Sequence, residues 1–403
     1  MLRLRIAMPR LLTLFLSSIA GFSLTPALSA DAAKDKRRPS DFGIICQMGY
    51  AGDHFPTEPE AFEKLLLSVK SAHYNTILCR HTPWREALCK KHGIKIMVDL
   101  LAGDHHVYKS PAGAEKLCTS LRNSESIYAY HLWSDRMGGT VKGRNRDLAN
   151  VQKWDPNHAT YVGDYNAKEI SGLSNPDLVG YYDFHWKRGG HWRHLLRARE
   201  VARKTDSYFL KYADGAPGKV GVGNYNRVLY TISMSVACGL KGYTFHHTGS
   251  EIDKSTWEWK PLGEDLSRVN AMIAPLGPEL MKLGNPVALY STPITMTAKN
   301  RPTGTDPAVP AEFKSVPADS TLKVLAGEAV IGVYQDPKGR EALLLANHNS
   351  YEPQMMELQF EKKVVGVAMF DRREKTWKRL PLREGTVSFE IPPAAVELLL
   401  LKQ

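Results

Sequence analysis

The stretch "SESIYAYHLWSDRMGG", residues 124–139, decides how this chain is read. Its apolar, aromatic-rich middle predicts a short buried strand. The strand runs into an acid, Asp135, then Arg136 and two glycines. A strand that ends this way is placed to deliver a carboxylate to the mouth of a barrel, if enough parallel strands surround it.

Seven further runs supply them. "FGIICQMGY", "YNTILCRH" and "GIKIMVDLL" precede it; "ATYVGDYN", "LVGYYDFHW", "SYFLKYAD" and "GYTFHH" follow. The segments between them have helical spacing. "TEPEAFEKLLLSVKSA" opens with Thr57 and Glu60 spaced as a capping box and repeats Phe62, Leu65, Leu66 and Val69. "NRVLYTISMSVACG" carries Val228, Ile232 and Val236 on one face and stops at Gly239. "EDLSRVNAMIAPLGPELMKLG" repeats Leu266, Val269, Ile273, Leu276 and Leu280. Eight alternations predict a (β/α)8 barrel over residues 41–284. A doubly wound sheet is the rival, but no glycine-rich phosphate turn follows the first strand. After Gly284 the helical period disappears. Strand-like runs separated by "DPKG" and "REG" predict a small all-β antiparallel sandwich over 285–403. The Pro- and Thr-rich segment from Ser291 to Ser320 reads as a long surface excursion.

The beginning of the chain has another texture. Arg3, Arg5 and Arg10 precede "LLTLFLSSIAGF" and then "TPALSA", the order of a signal peptide, expected over 1–29. The charged residues 30–40 read as a flexible leader. The expectation is an exported protein, periplasmic or extracellular, with no membrane span. Without the three signal arginines the formal net charge falls from +11 to +8. An exported basic protein is suited to acidic glycans, and no nucleic-acid motif is present. Five cysteines, an odd number, leave at least one thiol unpaired; Cys46 and Cys79 fall inside predicted strands and read as free buried thiols.

In a barrel the site gathers at the C-terminal strand ends. Those ends offer Gln47 and Tyr50, then Arg80 and His81, then Asp104, His105 and His106. Strand four ends at Asp135 and strand five at Asp164 and Tyr165; strand six gives Asp183, His185 and Trp186. Strand seven gives Lys211, Tyr212 and Asp214, and strand eight His246 and His247. Acids mixed with aromatic and basic side chains suit a sugar, because rings stack on pyranose faces and polar heads bind hydroxyls. The histidine pairs invite a metal, but no cysteine sits in a CxxC pair and the first strand, "ICQMGYAGDH", lacks His-x-His, so neither metal nor cofactor is expected. "HWKRGGHWRHLLRAR" reads either as a basic rim or as the solvated face of a helix.

"IYAYHLWSDRMG" resembles the fourth-strand motif of TIM-barrel glycoside hydrolases, where an apolar strand ends in Asp-Glu-Pro. "RVNAMIAPLGPELMKLG" resembles their last barrel helix, and "EALLLANHNS" with "GTVSFEIPPAAVELLLL" resembles a β-sandwich tail. The resemblance sets Ser134, Asp135 and Arg136 on that triplet and implies that Asp135 is the general acid. Such enzymes usually carry a nucleophilic glutamate at the end of strand seven. Here "YFLKYADG" has none, and Asp214 is the nearest carboxylate.

Glycoside hydrolysis needs one protonated carboxyl and one carboxylate, about 5 Å apart for retention and about 6.5–9.5 Å apart for inversion. Asp135 paired with Asp183 or Asp214 favours inversion, and Arg136, on the opposite side of the strand, need not meet the acid. Gln47, Tyr50, Arg80, His81, Asp104, His105, Asp164, His185, Trp186, Lys211, Tyr212 and His246 are expected to bind substrate. Two other readings use the same residues. A polysaccharide lyase would neutralise a uronate with Arg80 and remove a proton with His185, Lys211 or Tyr212. A glycan-binding barrel would keep the cleft without turnover.

Overall fold

The computed structural model describes residues 36–48, 55–101, 105–107, 109–133, 140–164, 169–183, 191–246, 251–293, 313–318 and 320–403. Eight strands close a parallel barrel in chain order: β1 (Gly43–Gln47), β2 (Thr76–Cys79), β3 (Lys95–Asp99), β4 (Ile127–Trp133), β5 (Ala159–Asp164), β6 (Leu178–Asp183), β7 (Tyr208–Asp214) and β8 (Gly242–His246). Closure is made where Ile44 of β1 pairs with Tyr243 of β8. Alternation along each strand sorts the side chains into two sets. Ile44, Cys46, Ile77, Ile96, Val98, Val162 and Phe245 face the surrounding helices. Ile45, Leu78, Met97, Ala129, Ala159, Leu178 and Leu210 fill the barrel axis.

The helices are α1 (Pro59–Ser71), α2 (Pro83–His92), α3 (Pro111–Leu121), α4 (Val141–Trp154), α5 (His191–Thr205), α6 (Val222–Ala237), α7 (Pro261–Ile273) and α8 (Gly277–Lys282). The capping box expected at Thr57 is not used. Pro59 opens α1, the N-cap is Glu58, and no side chain caps it. The fixed φ of proline suits the first helical position and sets the start there. The single helix expected before Gly284 is broken into α7, a 3-10 turn (Ala274–Leu276) and α8, because Pro275 and Pro278 lack the N–H that would continue it.

Two antiparallel sheets follow, one of β10 (Leu322–Ala326), β13 (Gln354–Phe360) and β16 (Thr386–Ile391). The six-stranded sheet runs in the order β15 (Thr376–Leu380), β14 (Gly366–Asp371), β17 (Val396–Lys402), β12 (Glu341–Asn347), β11 (Ala329–Gln335), β9 (Ala288–Ser291). The two sheets enclose Ile331, Leu343, Met356, Val387 and Leu399. The other face of the larger sheet lies on α6. This is why α6 is buried at Val228, Leu229, Tyr230, Ile232 and Met234, on every side rather than on one stripe. Tyr334 Oη donates to the carbonyls of Val236 (3.2 Å) and Ala237 (2.9 Å), satisfying the end of the helix from the sandwich. Gly332 is required at this junction, since a Cβ there would lie 2.0 Å from the Ala237 oxygen.

The leader expected to be flexible over 30–40 is anchored where it enters the barrel. Arg37 is buried and donates through Nε and Nη2 to Asp177, at 2.9 Å for the shorter contact. Asp177 also accepts from the backbone N and Oγ1 of Thr160, at 3.0 and 2.7 Å. Arg38 pairs with Asp206. All five cysteines are buried and none is in a disulfide. Residues 1–29, expected to be the signal peptide, lie outside the described residues. Among the described residues no helix is long and apolar enough to cross a membrane.

Candidate functional site

At the C-terminal ends of the strands the inward row changes character. Below, Ile45, Leu78, Met97 and Leu210 pack the axis. Above them come Gln47 (β1), Asp99 (β3), His131 (β4), Tyr161 (β5), Tyr182 (β6), Tyr212 (β7) and Thr244 (β8). Between the two layers the described residues leave a cavity of about 10 Å³, space for one water molecule. A sugar must therefore sit above this ring and not along the axis.

The ring is organised by contacts across neighbouring strands. His131 Nδ1 lies 3.4 Å from Asp99 Oδ1, and both side chains are largely sheltered. The same Asp99 oxygen accepts from the Leu101 amide at 3.0 Å, which fixes its carboxylate. The Tyr161 ring lies 5.4 Å from the His131 ring, and Tyr182 and Tyr212 stand 4.6 Å apart between centroids. Tyr161 can cross the barrel because β6 carries glycine at its side. A Cβ at Gly180 would be 2.0 Å from the Tyr161 hydroxyl. His106, after β3, responds to Asp99. Burial and then Lys109 hold its imidazole below the ordinary histidine pKa, and Asp99 acts in the opposite direction.

Several residues expected at the site are brought to this ring. Gln47 and Tyr212 line it. Arg80 continues the inward register of Leu78, one residue past β2, and its carbonyl accepts from Arg85 Nη1 at 3.1 Å. Asp214, the last residue of β7, continues the row of Tyr212; its Oδ1 accepts from the Ala216 amide at 2.9 Å. One oxygen of that acid is thus occupied in closing its own turn. His105 is half-buried in the loop after β3.

Others are placed elsewhere. Lys211, expected to touch substrate, turns outward: its Nζ donates to the Thr231 carbonyl (3.2 Å) and Ser235 Oγ (3.4 Å) of α6. It alternates with Leu210 and Tyr212, and the outer position buries it against the helix. His81 Nε2 is 2.8 Å from Glu86 of α2, whose carboxylate also accepts from Ser124 Oγ. Burial pushes Glu86 up, but the hydrogen bonds from Ser124 and His81 outweigh it and hold the acid below its usual range. That network joins α2 to the turn before β4 and leaves His81 outside the ring. Asp164 is buried at the end of β5 and pairs with Tyr181, in the outward register of Val162. Asp183 pairs with Ala213 and His246 with Asp214 as the terminal residues of β6 and β8; their side chains lie outside the described residues. So do Tyr50, Asp104, Asp135, His185 and Trp186.

Sequence reading missed Asp99, His131, Tyr161 and Tyr182. The signal was parity. Each stands an even number of residues from an apolar side chain that fills the axis, at the end of the strand where polar groups gather. It also missed Glu251, which is fully buried near Cys46 and Tyr74. Burial holds its carboxyl well above the ordinary value, against the smaller effect of the Tyr74 hydroxyl. Cys46 belongs to the outward set of β1, so this acid lies behind the barrel wall and not in its mouth.

No family model matches the chain, and no curated protein matches it. Among solved structures the chain is similar to one described as a glycoside hydrolase, with a TM-score of 0.53 and 12% identity over 89% of this chain and 92% of the other. It is also similar to a glycoside hydrolase family 5 protein from Bacteroides vulgatus, with a TM-score of 0.50 and 12% identity over 89% of each chain. At these identities the likeness is one of fold.

Proposed function

We propose that this chain is an exported carbohydrate-active enzyme, a glycoside hydrolase that cleaves an acidic or sulfated glycan with Asp135 as general acid. The observation that carries the reading is the ring at the barrel mouth, where the Asp99 carboxylate and His131 stand among three tyrosines above a filled axis. A barrel packed below and polar-aromatic above is built to hold a ligand at its rim, and tyrosine rings with phenolic heads suit the two surfaces of a pyranose. The solved structures of like fold are described as glycoside hydrolases. The positive balance of the chain supports an anionic substrate. The apolar run after Arg10 supports export to the periplasm or the exterior.

Asp135 follows β4 by two residues, and Asp99 ends the neighbouring strand. In this mechanism Asp135 gives its proton to the glycosidic oxygen. Asp99, positioned by the Leu101 amide and His131, stabilises the developing oxocarbenium ion or takes a proton from the attacking water. Asp99 thus fills the second-carboxylate role that sequence alone gave to Asp183 or Asp214. Gln47, Arg80 and Tyr212 orient the sugar.

The same His131–Asp99 pair favours one second reading, elimination. A histidine oriented by a carboxylate is a competent base, and Arg80 beside it would neutralise a uronate. Product analysis on polygalacturonate, alginate and sulfated glycans separates the two. Hydrolysis releases reducing ends without ultraviolet absorbance, whereas elimination releases reducing ends with the absorbance of an unsaturated uronate. A barrel that binds glycan without turnover releases neither.

A further inference from the structure

On the six-stranded sheet, away from the barrel mouth, the described residues form a groove of about 760 Å³. The pairing register sets its floor. Arg379, Ala368, Leu400 and Ala342 face one another in a row across β15, β14, β17 and β12. The neighbouring row begins with Trp377 and Phe370, whose rings meet edge to face at 5.4 Å. This is the face that covers α6 farther along the sheet. Where the barrel ends it is left open, and Gly366 and Ala368 keep the floor low. Lys402, paired with Gly366, and Lys338, in the β11–β12 hairpin, are exposed beside it. Among the described residues no Asp or Glu side chain lines this groove. It continues into a hollow of about 320 Å³ walled by Glu279 and Lys282 of α8, where Arg340 is paired with Asp336 at 2.7 Å.

We infer that this groove is a second glycan site, separate from the barrel mouth, which binds a stretch of an anionic oligosaccharide through carboxylate or sulfate groups. Lys338, Arg379 and Lys402, with Arg340 held by Asp336, border a shallow apolar floor next to an indole. A pyranose can lay its C–H face on Trp377 and Leu400 while its acidic substituent reaches Arg379 or Lys402. A single indole, not a file of aromatic side chains, favours a sugar over stacked bases. The inference shares with the proposed function the class of ligand but not the site. A site on the tail would hold a polymeric chain near the barrel and raise its effective concentration there.

The test is calorimetric binding to the full chain at fixed ionic strength. The probes are a heparin-derived hexasaccharide, a galacturonate hexasaccharide and neutral maltohexaose. Wild type should bind at least one anionic probe and not the neutral one; which anionic probe binds tells sulfate from carboxylate recognition. Arg379→Glu/Lys402→Glu should weaken that binding about tenfold or more. Lys64→Glu/Lys116→Glu, which changes the charge equally on exposed positions of α1 and α3, should leave it unchanged. Reducing-end release by the groove variant, measured in parallel, should stay at the wild-type level on a short substrate, so turnover at the barrel and binding at the groove are read separately. The inference is overturned if neither anionic probe binds, if the groove variant binds like wild type, or if both charge variants lose affinity equally.

Discussion

His131 and Asp99 face each other across β4 and β3 with 3.4 Å between Nδ1 and Oδ1, at the level where the barrel interior turns from apolar to polar. Neither residue is needed to fill space there. Under the hydrolytic reading Asp99→Asn lowers kcat by about a hundredfold to ten-thousandfold, the range of a lost acid–base group. His131→Asn lowers kcat as well, because it removes the ring that lies against the Asp99 carboxylate. Rate–pH profiles of the two variants, with melting temperatures as a control for folding, check this. Unchanged profiles would make the pair structural only.

Tyr161 occupies the volume that a side chain on β6 would need. Gly180→Ala puts a methyl group 2.0 Å from the phenol oxygen, so the ring must leave its place. The expected cost is about 1–3 kcal/mol of stability, the usual range for overpacking. Adding Tyr161→Leu to Gly180→Ala should recover part of it. A double-mutant cycle in urea measures the coupling, and strict additivity would show that the two positions do not meet.

At the opposite end of the barrel, Asp177 is fully buried against Arg37 and Thr160. Removing one partner of a buried ion pair leaves the other without compensation. Arg37→Ala is therefore expected to destabilise the fold by about 3–5 kcal/mol, although the residue precedes the first strand. Equilibrium denaturation of a variant truncated after the leader would show the same loss. Wild-type stability after truncation would mean the contact is dispensable.

Glu251 sets a pH dependence. Its folded pKa is raised above the unfolded value of about 4.5 by burial. The folded state then holds a proton that the unfolded state releases, so stability from this group is full below that value and falls as the pH rises. Glu251→Gln keeps the shape and cannot ionise. Its stability relative to wild type should therefore improve steadily as the pH is raised from about 4 to 8. Urea midpoints across that range measure it; a constant difference would show that Glu251 does not titrate with folding.

The barrel was legible because its eight strands are short apolar runs separated by helical periods, and the period change after Gly284 marked the sandwich. Other features escaped for physical reasons. β9 is four residues long beside a Pro-rich segment, and its partner β11 lies 40 residues away, so nothing local announces it. Arg37 looked solvated because Asp177, its partner, is distant in sequence. The site was half legible. Strand ends point to Gln47, Arg80 and Tyr212, yet proximity to a strand end does not tell inward from outward, and Lys211 and His81 share that position while their side chains turn to α6 and α2. His131 lies inside an apolar run, where no sequence signal sets it apart.

Asp135, proposed to give the proton for glycosidic cleavage, is open to a simple assay: reducing-end release from a panel of anionic polysaccharides, measured for wild type and Asp135→Asn side by side. Turnover on at least one polymer is expected, reduced about a hundredfold or more in the variant while the melting temperature is preserved. Equal turnover by the two proteins would contradict that role.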